Sequence, residues 1–290
     1  MVIPGTAAPD GCRGAVVTGG GGGLGAATAR ELAMMGYRVW LADVDLDAAR
    51  RGSETIGERA VPTHLDVTDA AACRALAAEV DGQAGLALWV NSAGILRTGP
   101  SWELSATDTA RLFDVNVHGT VNGTTAALEV FRRVGRGHVV NVISLAGLTA
   151  PPGETMYAAT KHAALAYTLG TAQDLRQHGH EGIHLSAVCP DGIWTPMLYD
   201  HVDDPEAAPS WSGVLLTPER AAAAVATVVR RPRPVLSVPR WRGGMARVAA
   251  TLPRLALRTM PQVMAQARRN QATFRATLAD RQPPERPMRR

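Results

Sequence analysis

The chain is poor in aromatic residues, in cysteine and above all in lysine. Phe, Trp and Tyr supply 4% of its 290 residues. A large core therefore has to be assembled from Ala, Val, Leu and Gly, which pack closely in helices and sheets. The three cysteines, Cys12, Cys73 and Cys189, include no Cys-x-x-Cys pair. That argues against a disulfide framework or a thiolate metal centre and fits a reducing compartment. No stretch reaches the roughly 18 consecutive apolar residues of a membrane span, and the opening "MVIPGTAAPDGCRG" lacks the apolar core of a secretion signal. A cytoplasmic location is the expectation. Lysine occurs once, at Lys161.

Charge is unevenly spread. Residues 230–290 hold 15 arginines against two acids, while the remainder holds 14 arginines and Lys161 against 24 acids. An acidic body thus precedes a basic tail, and the overall balance of +4 conceals both.

What is present is a regular alternation. Short apolar, β-branched runs predict strands over 14–19, 37–43, 60–67, 86–93, 137–144, 183–190 and 234–239. Segments with helical spacing lie between them, over 24–36, 45–52, 69–80, 104–132, 155–178 and 217–230. Near-continuous apolar strands alternating with helices mean a parallel sheet covered on both faces. Right-handed crossovers then give an α/β, Rossmann-like, doubly wound sheet of about seven strands, with ligands outside the strands' carboxyl ends. One domain is expected over 11–240, a basic helical extension over 241–280 and a disordered tail over 281–290.

The stretch "TGGGGGLG", 18–25, sits between the first strand and the first helix, where no linker belongs. Glycine there serves a tight turn, close approach of backbone to a pyrophosphate and close helix–strand packing. The helix N-terminus adds free N–H groups and a partial positive charge. Asp43, 18 residues beyond Gly25, ends the second strand. A carboxylate at that point accepts both ribose hydroxyls of adenosine and repels a 2′-phosphate. No Arg or Lys follows it directly, so NAD is favoured over NADP.

Tyr157 and Lys161, in "YAATK", are one helical turn apart and share a face. A free phenol titrates near pH ~10. A neighbouring cation favours phenolate and makes such a residue a competent acid/base. Ser144 ends the strand before that helix and offers a hydroxyl to a substrate oxygen. Asn116 lies inside a predicted helix, where asparagine competes for backbone hydrogen bonds.

Taken together, "TGGGGGLG", Asp43, "LDV" with Asp66, "NSAG" at 91–94, Asn116, Ser144, "YAATK" and "CPDGIWTPM" resemble the short-chain dehydrogenase/reductase family over roughly residues 11–240. The resemblance implies that Tyr157 is the acid/base. Lys161 would bind the nicotinamide ribose and hold down the tyrosine's pKa. Ser144 would orient the substrate oxygen, and Asn116 would keep a helix distortion that anchors a relay water. Gly19, Gly23, Leu24 and Gly25 would line the pyrophosphate. Asp66 and Val67 would flank adenine. Asn91, Ala93 and Gly94 would pack along the cofactor, with Pro190 and Gly192 beside it and Thr195 on the carboxamide. No metal is needed. One departure is Asp191, inserted between Pro190 and Gly192 where the family has Pro-Gly.

The segment 191–216 should cover the substrate. Trp194, Met197 and Leu198, with Leu145, Ser144 and Tyr157, would form an apolar pocket for a lipophilic secondary alcohol or ketone; Trp102, Leu148, Tyr199 and Trp211 are further candidate walls. In the tail, Met245, Val248, Ala249, Leu252, Leu255 and Ala256 fall on one helical arc opposite Arg247, Arg254 and Arg258. Such helices, restarted at Pro253, suit docking on the body or a sister subunit, or peripheral contact with an anionic membrane. Nothing points to nucleic acid. A homodimer or homotetramer through the helices at 104–132 and 155–178 is what the family resemblance implies. A catalytically silent NAD sensor or scaffold and an NADPH-preferring carbonyl reductase are the competing readings.

Overall fold

The protein is described by a computed structural model that covers residues 13–280. The tail expected over 281–290, and the two residues before Arg13 in the expected domain, lie outside the described residues. Seven parallel strands form one sheet in the order β3-β2-β1-β4-β5-β6-β7. These are β1 (Arg13–Thr18), β2 (Tyr37–Asp43), β3 (Ala60–His64), β4 (Leu86–Asn91), β5 (Gly137–Val142), β6 (Ile183–Pro190) and β7 (Val235–Val238).

The five inner strands, β1, β2, β4, β5 and β6, bury both faces, which is why their sequences are largely apolar, while the edge strands β3 and β7 are only partly covered. Val16, Trp40, Trp89 and Val139 point to one side, against helices α3 (Ala70–Ala84) and α5 (Gly119–Val134). Ala15, Val17, Val39, Leu41, Leu88 and Val90 point to the other, against α1 (Gly23–Met34), α2 (Leu46–Glu54) and α8 (Pro218–Arg230). Aromatic volume is concentrated where it counts: Trp40, Trp89 and Phe131 are fully buried. The chain order reverses between β1 and β4, so a crevice opens at the carboxyl ends of those strands.

The helix expected over 104–132 is three pieces. Ser105 caps α4 (Ala106–Phe113) by accepting from the Asp108 N–H at 2.9 Å. A π-helical turn spans Asp114–His118, and α5 follows until Gly135 ends it in the left-handed conformation. The wide turn sits at Asn116, whose side-chain amide binds other parts of the chain. The remaining helices are α6 (Thr155–Gln177) and the short α7 (Pro196–Tyr199), with a 3₁₀ turn at Pro205–Trp211 between α7 and α8.

After β7 come α9 (Arg240–Thr251) and α10 (Pro253–Asp280), with the restart at Pro253. Of the readings left open, docking on the body is present, but not through the apolar arc. Met245, Val248, Leu252 and Leu255 on the apolar arc are each at least half exposed. Contact with the body runs instead through small residues. A methyl group on Gly243 would sit 2.2 Å from the Ser237 side chain, so α9 lies almost on β7. Ala246 on α9 and Ala267 on α10 are buried. Helix α10 lies on the substrate-side loop: Gln271 donates to the carbonyls of Val202 (3.1 Å) and Asp204 (2.7 Å), and Asn270 to that of Trp211 (2.9 Å).

Candidate active site

A cavity of about 470 Å³ runs along the carboxyl ends of the strands, across the point where strand order reverses. At one end lies the glycine loop. Gly19 adopts φ +66°, and a Cβ there would stand 2.9 Å from the Ala93 backbone. A Cβ on Gly25 would meet the Gly19 carbonyl at 1.9 Å. Only glycine lets this loop fold onto its own helix while touching the β4 exit. Thr18 fastens the same junction, its hydroxyl accepting from the N–H groups of Ser92 and Ala93, both at 3.1 Å. Gly22 precedes α1 with no side-chain cap, and a Cβ there would meet nothing within 4 Å. The helix N-terminus is thus left open to the cavity.

Asp43 is held in place by that loop. Its carboxylate accepts from the Gly21 N–H at 2.9 Å and the Asp45 N–H at 3.0 Å. Asp66 accepts from the backbone and hydroxyl of Thr68 at 2.9 and 2.8 Å, and these bonds hold its carboxyl below the ordinary range. An open helix N-terminus, a glycine cradle and a strand-end carboxylate fit a dinucleotide.

At the other end, Ser144, Tyr157 and Lys161 line the cavity together. Ser144 begins a tight turn, its hydroxyl accepting from the Ala146 N–H at 3.1 Å. Lys161 is buried. Its ammonium donates to the Val142 carbonyl at 3.3 Å and stands 5.6 Å from the Tyr157 ring centre. Burial pushes the lysine down to about 8. The expected lowering of the phenol does not come from the chain's own groups. Burial raises Tyr157 first, the Glu154 carboxylate raises it further, and only a hydrogen bond from Ser144 opposes them.

Most of the residues read from the sequence meet in this one cavity: Gly19, Gly23, Leu24 and Gly25; Asp43, Asp66 and Val67; Ala93 and Gly94; Leu145; Pro190, Gly192 and Thr195; Met197 and Leu198. Three stand back from it. Asn91 is buried in a polar network, donating to Asn141 (2.8 Å) and Thr124 (3.0 Å) and accepting from the Trp89 indole (2.8 Å). Asn116 is fully buried. It exchanges two bonds with the Ile95 backbone, both 2.9 Å, and donates to Thr160 at 3.1 Å, so it ties the β4 exit to α6. Trp194 packs on Tyr199 and on Phe274 of α10, with ring centres 5.1 and 5.8 Å away. Of the further wall candidates, Trp102 is exposed and Trp211 is buried beneath the loop.

Sequence reading missed Glu154, Ser210 and Arg242, which also line the cavity. Glu154 had a signal, a carboxylate three residues before Tyr157 at the start of α6. Arg242 had none. It reaches in from α9 to bond Asp191 at 2.9 Å and Ser212 at 3.0 Å. The inserted Asp191 thus has a partner in the extension, and the pair straps the substrate-side loop to α9.

A doubly wound sheet with an open, glycine-lined helix N-terminus at its switch point defines a Rossmann-like nucleotide-binding protein, here with Ser, Tyr and Lys side chains at the far end of the crevice. A family model described as short chain dehydrogenase matches residues 13–206, and the chain belongs to the short-chain dehydrogenase/reductase family of oxidoreductases. It is 34% identical over 208 residues to a cyclopentanol dehydrogenase of Comamonas testosteroni, covering 69% of this chain and 81% of that one. It is 32% identical over 200 residues to a levodione reductase of Leifsonia aquatica, covering 66% and 74%. A short-chain dehydrogenase/reductase from Burkholderia phymatum, solved in complex with NAD, superposes with a TM-score of 0.77 at 28% identity, covering 84% of this chain and 95% of that one.

Proposed function

We propose that the protein is an NAD-dependent dehydrogenase that interconverts a lipophilic secondary alcohol and its ketone. The observation that carries this reading is the placing of Ser144, Tyr157 and Lys161 at one end of a cavity whose other end holds the open α1 N-terminus and Asp43. The glycines at 19, 23 and 25 with Leu24 would hold the pyrophosphate, Asp43 the adenosine ribose, Asp66 and Val67 the adenine, and Thr195 the carboxamide. When bound, oxidised nicotinamide supplies the hydride acceptor and a positive charge beside the phenol.

The chain's own residues do the rest. Ser144 and Tyr157 hold the carbinol oxygen between two hydroxyls. Tyr157 takes the hydroxyl proton in oxidation and returns it in reduction. Lys161, the only side-chain amine in the chain, would bind the ribose and favour phenolate. Asn116 would act one step back, by fixing the π-helical turn and the β4 exit against α6. Leu145, Met197 and Leu198 exclude water from the reacting centre.

The test is a turnover screen with cyclic secondary alcohols and hydroxysteroids, NAD and NADP compared. Activity with NAD is expected; equal use of NADP would overturn the cofactor assignment, and turnover indifferent to loss of the phenol would favour a sensor. We also propose assembly into a dimer or tetramer through α5 and α6, on whose surface Leu169 is exposed, to be checked by light scattering. The exposed Met245–Leu255 arc, flanked by Arg247, Arg254 and Arg258, favours a second role in peripheral contact with anionic lipid. Liposome flotation with and without residues 241–290 tests that role.

A further inference from the structure

The substrate end of the cavity is walled by Leu96, Leu145, Pro151, Met197, Leu198 and Pro209. One group does not belong in such a wall. Glu154 stands at the N-terminus of α6, lines the cavity and is 4% exposed. Burying a carboxyl costs several kcal/mol unless it is neutral or well bonded. Its bonding is supplied by one residue. The Ser210 hydroxyl, on the 3₁₀ turn across the cavity, donates to Oε1 at 2.6 Å, and the Ser210 backbone contributes as well. No other group among the described residues bonds it. Burial raises it to about 7 against these bonds, so protonated and ionised forms coexist near neutral pH. A protonated carboxyl that accepts from Ser210 still has an O–H to donate.

The chemistry proposed above makes no use of this group. Ser144 and Tyr157 already account for the reacting oxygen. Glu154 immediately precedes α6, three residues before Tyr157, and is close enough to act on the phenol electrostatically. A molecule held at Tyr157 and lying along the apolar residues of this wall has Glu154 beside it, while Asp191, Ser212 and Arg242, which also line the cavity, are bonded to one another. We propose that Glu154 is a second polar anchor for the substrate, and that the substrate is a compact apolar alcohol or ketone carrying a second oxygen, as in a diol, a hydroxyketone or a diketone. Protonated, Glu154 donates to an oxo group; with or without its proton it accepts from a hydroxyl. Ser210 keeps the carboxyl turned into the cavity. This inference rests on the alcohol–ketone reading of the site.

The test compares matched substrates: cyclohexanol against the cyclohexane-1,2-, 1,3- and 1,4-diols with NAD, and cyclohexanone against the corresponding diones with NADH. In the unmodified protein at least one two-oxygen substrate should exceed its one-oxygen partner about tenfold in kcat/KM, the size of one buried hydrogen bond. Glu154→Leu should bring that ratio to within about twofold of one, mainly through KM. Glu154→Gln, which still donates and accepts, should keep part of it. A second reading avoids turnover: titration calorimetry of the best dione into NAD-loaded protein should show about tenfold weaker binding in Glu154→Leu. Cyclohexanol turnover with no preference for any two-oxygen partner, or a preference that survives Glu154→Leu, overturns the anchor and leaves the dehydrogenase reading standing. A protein that turns over a hydroxysteroid but nothing on the panel overturns the compact two-oxygen substrate alone, and one that turns over neither takes both down.

Discussion

The two ends of the cavity are built in different ways. The nucleotide end is made largely of backbone and short local segments: the β1–α1 loop, the end of β2 and the β4 exit, with Asp43 fixed by the Gly21 and Asp45 N–H groups. The substrate end is made of side chains gathered from distant segments, including the Ser144 turn, the start of α6, the loop 191–212 and Arg242 of α9. Backbone geometry constrains sequence tightly, because only glycine fits at Gly19 and Gly25. Side-chain walls accept many solutions. On the proposed function, the second end is the one that would set specificity.

That contrast can be pressed hardest at the proposed acid/base. Tyr157→Phe should lower turnover about a thousandfold while NAD binding, measured by titration calorimetry, stays within twofold. Loss of both together would mean that the two ends are not separable. Glu154 provides the next largest effect, on stability. Its value of about 7 in the folded protein lies above the ordinary 4.5, so the native state keeps a proton that the unfolded chain releases between those values. Its stabilisation is complete below about pH 4.5 and is lost as pH rises to about 7, with an upper bound near roughly 3 kcal/mol. His138, buried and pushed down to about 3, acts in the opposite sense below pH 6.5. The quantity to measure is therefore the difference in urea unfolding between wild type and Glu154→Gln across pH 4.5 to 7, which should decline with pH.

The strap comes third. Arg242→Ala leaves Asp191 buried and unpaired and should cost roughly 2 kcal/mol, less than a fully buried pair because the arginine is partly exposed. A double-mutant cycle with Asp191→Ala should then be strongly non-additive. Additivity would show that the extension does not brace the substrate end. The smallest effect belongs to Asp43→Ala, which should weaken NAD about tenfold and narrow the preference over NADP, read by fluorescence titration of the reduced cofactors.

Legibility in the sequence follows the same division. The sheet and its seven strands could be read because buried parallel strands are apolar without interruption, and the glycine loop because its constraints lie within eight residues. Asn116 stood out as a poor mid-helix residue, but a π turn leaves no hydrophobic signature of its own. The extension was legible as helices but not in the way it docks. Its helices were oriented by their largest apolar side chains, whereas α9 docks through Gly243 and Ala246, which a hydrophobic pattern ranks low and close approach requires. Trp194 was assigned to the pocket because it follows β6, yet its ring packs against Phe274, 80 residues further along the chain. Arg242 was invisible for the same reason, since no local spacing announces a partner for Asp191.

Lys161 has a practical consequence. In most proteins an amine-directed reagent scatters over a score of surface sites. Here the polypeptide offers one ε-amine, enclosed in the crevice and shifted toward the unprotonated form at mild alkaline pH. Reductive alkylation or acylation, read by peptide mapping at Lys161 so that the α-amine is scored separately, gauges whether that crevice is accessible. Protection by a bound compound reports occupancy without any need to know the substrate.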